Sequence, residues 1–434
     1  MMKITKKLIY SFIIAFAVLV FYGCNSHYST SSTTPSPTTT THGDGTVTVC
    51  SVVSQSNAVY STGASLAKMS KRSQSVYNQV SKATVMVTAC YTVSSMEHKL
   101  MTSGYIIDKE VKDERTFTYY VTTSASGIFY RYVNSIGGET LDLDRDTTVV
   151  RSGDFEFVMA DGNRYLGLLV GFNDTSDVAI FKFDSPMEYD VLEFADSDEV
   201  SPGQTMSAVG TPTIGQDSLF NTYVTGNISG CERLYNLLYR TTYDKKAYSA
   251  EITSVPCFQY DAPFNVGMQG GPILNSEGKV IGSMAGDIYD NDYESLSFGI
   301  YGNVIKNVAR SIIDTGSYSK PLIGVTVMEV AGVIDREGLE WIKEAEIYRG
   351  AYIVSPRYGV STYDGISPNS AAARAGMKSE EVIIGLYIND KEYTVNGLCT
   401  INRCLFQVVR GDSLRLVTMN SEGITTTYNV NLWS

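Results

Sequence analysis

Short runs of apolar and aromatic residues, separated by glycine, asparagine and aspartate, characterise the chain from residue 83 to residue 313. Runs of about four to eight residues rich in β-branched and aromatic side chains are typical of β-strands. The clearest runs lie at 105–107, 119–121, 155–158, 167–170 and 178–183. Their regular spacing predicts a mainly β domain of the barrel kind. Helical periodicity is confined to the two ends of this region, at 65–80 and 303–313.

The pattern changes near Pro321. From there to the C-terminus, strand-like runs surround one evident helix at 370–375, and a second helix is predicted at 335–346. A chain of 434 residues also exceeds the size at which one hydrophobic core usually stops growing. We therefore expect a second, α+β domain over 319–434.

The N-terminus has the pattern of an export signal. Three lysines precede an apolar run over 8–22, which ends at Gly23 and Cys24. The run is shorter than the roughly 20 residues that a membrane-spanning helix needs, and it resembles a bacterial lipobox. We predict a lipoprotein signal peptide over 1–23, lipid on Cys24, and a chain anchored to the extracellular side of the cell membrane.

Composition and charge exclude several classes of function. Residues 24–64 are rich in serine, threonine and proline, which predicts a solvated tether. The formal net charge of −12 comes without a basic stripe, which argues against nucleic-acid binding. The cysteines show no zinc-ligand spacing, and glycine-rich phosphate loops are absent, so neither a metal nor a cofactor is expected.

One run carries a family resemblance. Residues 261–274 read DAPFNVGMQGGPIL and are followed by GKVIG at 278–282. They resemble the nucleophile loop of the HtrA/Deg serine proteases, D-A-x-x-N-x-G-N-S-G-G-P-L. In such a loop, glycines let successive N–H groups converge on the substrate oxyanion beside the serine. The resemblance places Gly267 and Gln269 in the oxyanion loop, with Gln269 at the serine position.

Other landmarks of the family follow the same order. The run DVAIFK at 177–182 resembles D-L-A-V-L-K and makes Asp177 the counterpart of the triad carboxylate. The run SGYIID at 103–108 resembles S-G-F-I-I-D, and YVTTSASG at 120–127 falls where the family has Y-V-L-T-N-x-H-V. Ala125, or a neighbour within one residue, therefore occupies the histidine position. The resemblance implies a trypsin-like double six-stranded β-barrel over 65–318.

The C-terminal region resembles a bacterial PDZ domain through SPNSAAARAGM at 367–377 and EVIIGLYIN at 381–389. The resemblance implies a PDZ domain over 319–434. Its carboxylate-binding loop would consist of Leu322, Ile323, Gly324 and Val325, whose N–H groups receive a peptide C-terminus while the peptide adds to the sheet edge. Peptides or unfolded proteins are the partners that this implies.

The replaced triad positions predict a protein that binds rather than cleaves. Glutamine offers no nucleophile, and His98 lies upstream of the strand that begins at Ser103, away from the turn where the base is needed. Loss of a triad member leaves at most about 10³ to 10⁴-fold acceleration over water. The leading hypothesis is a lipid-anchored pseudoprotease, in which the N–H groups of Gly267 and Gln269 form a cup for a carbonyl or carboxylate.

Two alternatives remain open. An active endopeptidase with an unconventional site requires Ser124 or Ser126, His98 and Asp177 to converge in space. An inert subunit of a mixed oligomer with an active homologue is the other alternative, with the helix at 65–80 used for assembly, as the resemblance suggests.

Overall fold

The computed structural model describes residues 39–41, 47–49, 71–93, 96–129, 155–214, 217–244, 247–286, 296–358 and 364–433. The predicted signal peptide, Cys24 and most of the predicted tether lie outside these residues. Within the N-terminal unit Met1–Ala67, β1 (Thr39–Thr41) pairs antiparallel with β2 (Val47–Val49). None of the described helices has the length and apolar character required to span a membrane.

Six antiparallel strands close the first barrel in the order β3-β4-β5-β8-β7-β6. They are β3 (Thr84–Val93), β4 (Met96–Asp113), β5 (Thr116–Ser124), β6 (Phe155–Val158), β7 (Arg164–Asn173) and β8 (Val178–Ser185). Successive side chains of a strand point to opposite faces, and Val85, Val87 and Ala89 accordingly line the interior. The ring of Phe181 packs on those of Phe155 and Phe157. These aromatic side chains fill part of the barrel core.

A second closed barrel has the strand order β12-β13-β16-β15-β14-β9. Its strands are β9 (Thr205–Gly210), β12 (Thr222–Asp244), β13 (Ala247–Tyr260), β14 (Pro272–Leu274), β15 (Val280–Met284) and β16 (Ser297–Tyr301). A small hairpin of β10 (Thr213–Ile214) and β11 (Asp217–Ser218) follows β9. The predicted mainly β fold with two six-stranded barrels is confirmed.

Helices flank the barrels. They are α1 (71–80), α2 (Ala125–Phe129), α3 (Gly302–Thr315) and the 3₁₀ turns Asp174–Ser176 and Ser197–Glu199. Helix α3 corresponds to the predicted helix at 303–313 and ends at Gly316, whose φ of 80° is the left-handed geometry that closes many helices. The predicted helix at 65–80 is described only from residue 71 onward.

Residues 321–433, here called the C-terminal sheet, form an antiparallel sheet in the order β17-β18-β19-β21-β22, with β20 paired to β19. The strands are β17 (Val327–Glu329), β18 (Ala351–Ile353), β19 (Val382–Ile388), β20 (Lys391–Thr394), β21 (Leu414–Met419) and β22 (Thr425–Val430). The helices are α4 (Val330–Val333), α5 (Trp341–Glu344), α6 (Ala371–Arg374), α7 (Leu398–Gln407) and the 3₁₀ turn Pro356–Tyr358. The predicted helix at 335–346 is shorter than expected.

Helix α7 attaches the C-terminal sheet to the second barrel. The ring of Phe406 is fully buried in the core that includes α3, and the Phe406 carbonyl accepts hydrogen bonds from Asn307 Nδ2 at 2.6 Å and the Tyr318 hydroxyl at 3.2 Å. One turn earlier, Asn402 Nδ2 donates to the Ser254 carbonyl at 2.8 Å. The sheet is thereby packed on the barrel through one helical face.

The carboxylate of Asp198, in the 3₁₀ turn between the barrels, is the centre of this contact. It accepts from four side chains of the C-terminal sheet: Lys391 (2.8 Å), Tyr393 (3.1 Å), Gln407 (3.1 Å) and Arg403. The side chains of both Asp198 and Arg403 are only 8% exposed. A charge so far from water is stable only while its partners remain in place.

We expect Asp198→Ala to lower the free energy of unfolding by about 3–5 kcal/mol, because it leaves the Arg403 guanidinium buried without its main counter-charge. Urea denaturation followed by intrinsic fluorescence measures this loss. The matched control is Glu156→Ala, which breaks the exposed Arg164–Glu156 pair (2.8 Å) and is expected to change stability by less than about 1 kcal/mol. Equal losses in the two variants would contradict the proposed role of Asp198.

Candidate functional site

Asp177 lies between the 3₁₀ turn Asp174–Ser176 and strand β8, with a left-handed φ of 57°. Asn173 stabilises this turn, because its side-chain oxygen accepts from the Ser176 N–H at 3.0 Å. The Asp177 carboxylate is buried. Its Oδ1 accepts from the Ser126 N–H at 2.6 Å, and its Oδ2 accepts from the Ser124 hydroxyl at 2.8 Å.

Burial raises the pKa of the Asp177 carboxyl to about 6, while hydrogen bonds from Ser126 and Ser124 act in the opposite direction. Both serines are neutral and supply no charge to balance the carboxylate. A buried carboxylate without a cation holds its proton more tightly than one in water.

Ser124 and Ser126, on either side of Ala125 in sequence, both face this carboxylate. The Ala125 methyl group is buried in the core of the first barrel, and the Ala125 N–H donates to the Asp177 main-chain carbonyl at 3.2 Å. The hydroxyl oxygens of Ser126 and Ser124 lie 3.2 Å apart beside the Asp177 side chain. The Ala125 side chain thus points into the barrel, whereas the neighbouring positions Ser124 and Ser126 both contact the Asp177 carboxylate.

Gln269 closes the loop that was expected to bind a substrate oxygen. Its side-chain Oε1 accepts from the Gly267 N–H at 2.8 Å, and the residue is only 1% exposed. A Cβ added to Gly127 would lie 2.7 Å from Gln269 Cγ, so the glutamine side chain lies directly against helix α2. The expected open donor cup is thus occupied by an amide oxygen of the chain itself.

Ser103 in β4 fixes this loop to the first barrel. Its N–H donates to the Gln269 carbonyl at 3.0 Å, and its hydroxyl donates to the Gly267 carbonyl at 2.8 Å. The same hydroxyl accepts from the Thr211 N–H of the second barrel at 2.8 Å. A single buried serine therefore joins the loop and both barrels.

Gly270 permits this close approach. Its φ is +79°, and an added Cβ would lie 2.4 Å from the Ser124 nitrogen and 2.5 Å from the Ser103 carbonyl oxygen. A residue with a side chain does not fit there without moving the backbone. Steric crowding therefore explains why this chain has glycine at position 270.

His98 does not belong to the cluster of Ser124, Ser126 and Asp177. It lies in β4, where it pairs with Tyr91, six residues before Gly104, which pairs with Thr123. Six residues of a strand span about 20 Å. His27 and His42 lie outside the described residues. In the described part of the chain, no group of three or more histidine, cysteine, aspartate or glutamate side chains has the arrangement of a metal site.

The expected carboxylate-binding loop lies on the surface of the C-terminal sheet. Leu322 is exposed, whereas Ile323 is buried and its carbonyl accepts from the Ala372 N–H at 2.9 Å. Gly324 has a φ of +82°, and an added Cβ would lie 2.1 Å from Ser370 Cβ. Strand β17, which follows the loop, is the end strand of the sheet.

Comparisons with known proteins agree with this geometry. A family model described as a trypsin-like peptidase domain matches residues 80–282. The serine protease Do-like HtrA of Bacillus subtilis (strain 168) is 29% identical over 265 residues, which cover 61% of this chain and 54% of that protein. Residues 80–282 are therefore similar to trypsin-like peptidase domains, and the chain has homologues among HtrA-type serine proteases.

Other HtrA-type proteins show the same similarity. The serine protease Do-like HtrA of Lactococcus lactis subsp. cremoris (strain MG1363) is 24% identical, with 72% of this chain and 71% of that protein covered. A solved structure of the HtrA-type protease AlgW with tripeptide has the same fold, with a TM-score of 0.50, 18% identity, and 83% of this chain and 96% of that chain covered. The chain spans about half the length of the Bacillus relative.

The raised pKa of Asp177 makes the stability of the folded chain depend on pH. The folded chain binds this proton with a pKa of about 6, against a usual value of 3.8. Because the folded state is the better proton acceptor, the free energy of unfolding rises as the pH falls from about 6 to about 4, by up to about 3 kcal/mol. We expect Asp177→Asn to remove this rise, as measured by urea denaturation at a series of pH values.

Asp184→Asn is the control for this experiment. The hydrogen bond from Lys112 holds the pKa of the Asp184 carboxyl below its usual value, so the contribution of this carboxyl to stability is lost, not gained, as the pH falls. A profile for Asp177→Asn that follows the wild-type profile between pH 4 and pH 6 would show that Asp177 does not titrate there.

Proposed function

We propose that this chain is a pseudoprotease, which uses the HtrA-type scaffold to bind peptides or protein C-termini without cleaving them. The observation that carries the proposal is the hydrogen bond from the Gly267 N–H to Gln269 Oε1. At the position of the nucleophile, the chain has a side-chain amide, and that amide occupies a donor that would otherwise stabilise a substrate oxyanion.

Acyl transfer by this fold requires a nucleophile and a base that removes its proton. A glutamine amide neither ionises at physiological pH nor attacks a carbonyl. Asp177 is hydrogen-bonded to serine groups, and no imidazole contacts it within the described part of the chain. The scaffold around the site is complete while its reactive groups are replaced, which favours binding over turnover.

The C-terminal sheet supplies the peptide-binding surface in this proposal, as a PDZ domain over 319–434. The loop Leu322, Ile323, Gly324 and Val325 would receive the terminal carboxylate, and the peptide would pair with the free edge of β17. The AlgW structure with a tripeptide supports peptide binding as a property of a protein with this fold. Anchoring through lipid on Cys24, at the extracellular side of the membrane, and assembly into homo- or hetero-oligomers complete the proposal.

A cleavage assay tests the loss of catalysis. We expect neither the purified protein nor Gln269→Ala to cleave casein above the rate of the blank. The double variant Gln269→Ser/Ser126→His is expected to gain cleavage, because position 126 faces the Asp177 carboxylate. The matched control Gln269→Ser/Ala125→His is expected to remain inactive, since position 125 faces the barrel core.

Casein cleavage by the wild type that persists in Gln269→Ala would contradict the pseudoprotease proposal. The Ser124–Asp177 contact makes Ser124 the first alternative nucleophile to examine. Loss of that activity in Ser124→Ala would then establish an endopeptidase with an unconventional site.

Peptide binding is tested separately by fluorescence polarisation with a labelled peptide library. We expect binding to require a free C-terminal carboxylate and to weaken at least tenfold in Gly324→Ala, because the new Cβ collides with Ser370. Gly376→Ala is the matched control, since Gly376 also has a positive φ (+76°) but open space around it. Equal affinity for amidated and free peptides would rule out the carboxylate loop as the site.

A further inference from the structure

A cavity of about 630 Å³ lies between the second barrel and the C-terminal sheet. Strand β12 lines one side over 229–233, and the N-terminal half of α7 lines the other from Gly397 to Arg403. Tyr348 and Arg349 lie along its edge. Its volume falls within the range of roughly 300–1,000 Å³ that is usual for small-molecule sites.

Arg403 is the most deeply buried charged group that lines this cavity. Its terminal nitrogens pair with Asp198 and, at 3.4 Å, with Glu232 Oε1, and its guanidinium lies 4.9 Å from the centre of the Tyr301 ring. Its Nε has no hydrogen-bond partner among the described residues, although the residue is only 7% exposed. Native structures seldom leave a buried donor without a hydrogen-bond partner.

The acidic groups that line the cavity are already engaged within the protein. Asp198 is held by side chains of the C-terminal sheet, and Glu232 is paired with Arg403. Glu329 Oε1 accepts from the Leu398 N–H at 2.8 Å, at the start of α7. A carboxylate at a helix N-terminus is stabilised by the aligned peptide dipoles. None of these three carboxylates forms an ion pair with the other two arginines of the cavity within the described residues.

The other two arginines of the cavity have only neutral partners. Arg233 Nη1 donates to the Cys231 carbonyl at 3.0 Å, and Arg349 Nη1 donates to Asn396 Oδ1 at 3.4 Å. Neither side chain forms an ion pair with a described carboxylate. They approach the cavity from different parts of the fold, Arg233 from the barrel and Arg349 from the C-terminal sheet. Planar guanidinium groups bind carboxylates and phosphates through paired N–H donors.

We propose that this cavity binds a small organic anion, whose carboxylate or phosphate group contacts Arg233 and Arg349. The ligand contacts both the barrel and the C-terminal sheet. It stabilises the folded chain by an amount that rises with the logarithm of one plus the ratio of free ligand concentration to Kd, because the unfolded chain has no such cavity. This site is separate from the oxyanion loop and from the loop at 322–325, and it does not depend on the proposed pseudoprotease function.

Isothermal titration calorimetry at constant ionic strength, with citrate and with inorganic phosphate as probes, tests the proposal. We expect saturable one-to-one binding of at least one probe. Arg233→Gln/Arg349→Gln is expected to lower its affinity at least tenfold. The control Arg164→Gln/Arg410→Gln removes the same charge from exposed positions outside the cavity and is expected to change the affinity less than twofold.

The two probes distinguish a carboxylate ligand from a phosphate ligand. Binding of citrate alone assigns a carboxylate ligand, and binding of phosphate alone assigns a phosphate ligand. A thermal melt of each variant without ligand verifies that it is folded, and the bound probe is expected to raise the Tm of the wild type and of the control but not of Arg233→Gln/Arg349→Gln. The proposal is overturned if neither probe saturates, or if the two double variants weaken binding equally.

Discussion

The buried hydroxyl of Ser103 is the contact on which the geometry of the protease-like site depends. It donates to the Gly267 carbonyl and accepts from the Thr211 N–H, while the Ser103 N–H holds the Gln269 carbonyl. One residue of the first barrel thus fixes two segments of the second. This contact requires that Gly270 has no side chain, so the serine and the glycine act as a unit. The position of Gln269 against the first barrel follows from it.

A second constraint acts at the far side of the second barrel. The Asp198 carboxylate gathers four side chains of the C-terminal sheet, and the Phe406 ring completes a core to which the barrel contributes most residues. The hydrogen bonds to Asp198 fix the orientation of the C-terminal sheet, because hydrogen bonds are directional. The packing of Phe406 buries apolar surface. Together they make the barrels and the C-terminal sheet one compact unit over Lys68–Ser434.

Local patterns in the sequence predicted the barrels well, because a buried strand needs alternate apolar residues and a barrel needs many such strands at short intervals. They did not predict α7. Its sequence LCTINRCLFQ contains threonine, asparagine and cysteine, which have modest helix propensity, and its stability comes from packing on the barrel.

The sequence predicted which residues belong to the site but not how their side chains contact one another. The motif order predicted Asp177 at the carboxylate position and Gln269 at the serine position, and it left the histidine position at Ala125 or a neighbour within one residue. Only the direction of each side chain, into the barrel or towards the carboxylate, distinguishes Ala125 from its neighbours. The contact between Gln269 Oε1 and the Gly267 N–H depends on a side-chain rotamer, and the partners of Asp198 are about 190 to 210 residues away in sequence. Neither relation has a local signature.

The hydrogen bond within the 267–269 loop means that Gln269 competes with any ligand for the Gly267 N–H. A peptide carbonyl that enters the cleft finds the Gly267 N–H already donating to an amide oxygen of the same chemical kind, so the exchange of one acceptor for the other yields little hydrogen-bond energy. The apparent dissociation constant of any such ligand is the intrinsic one divided by the fraction of molecules in which Gln269 has swung away. Selectivity in this cleft then resides in the flanking contacts of a ligand, since its carbonyl group alone confers almost no advantage.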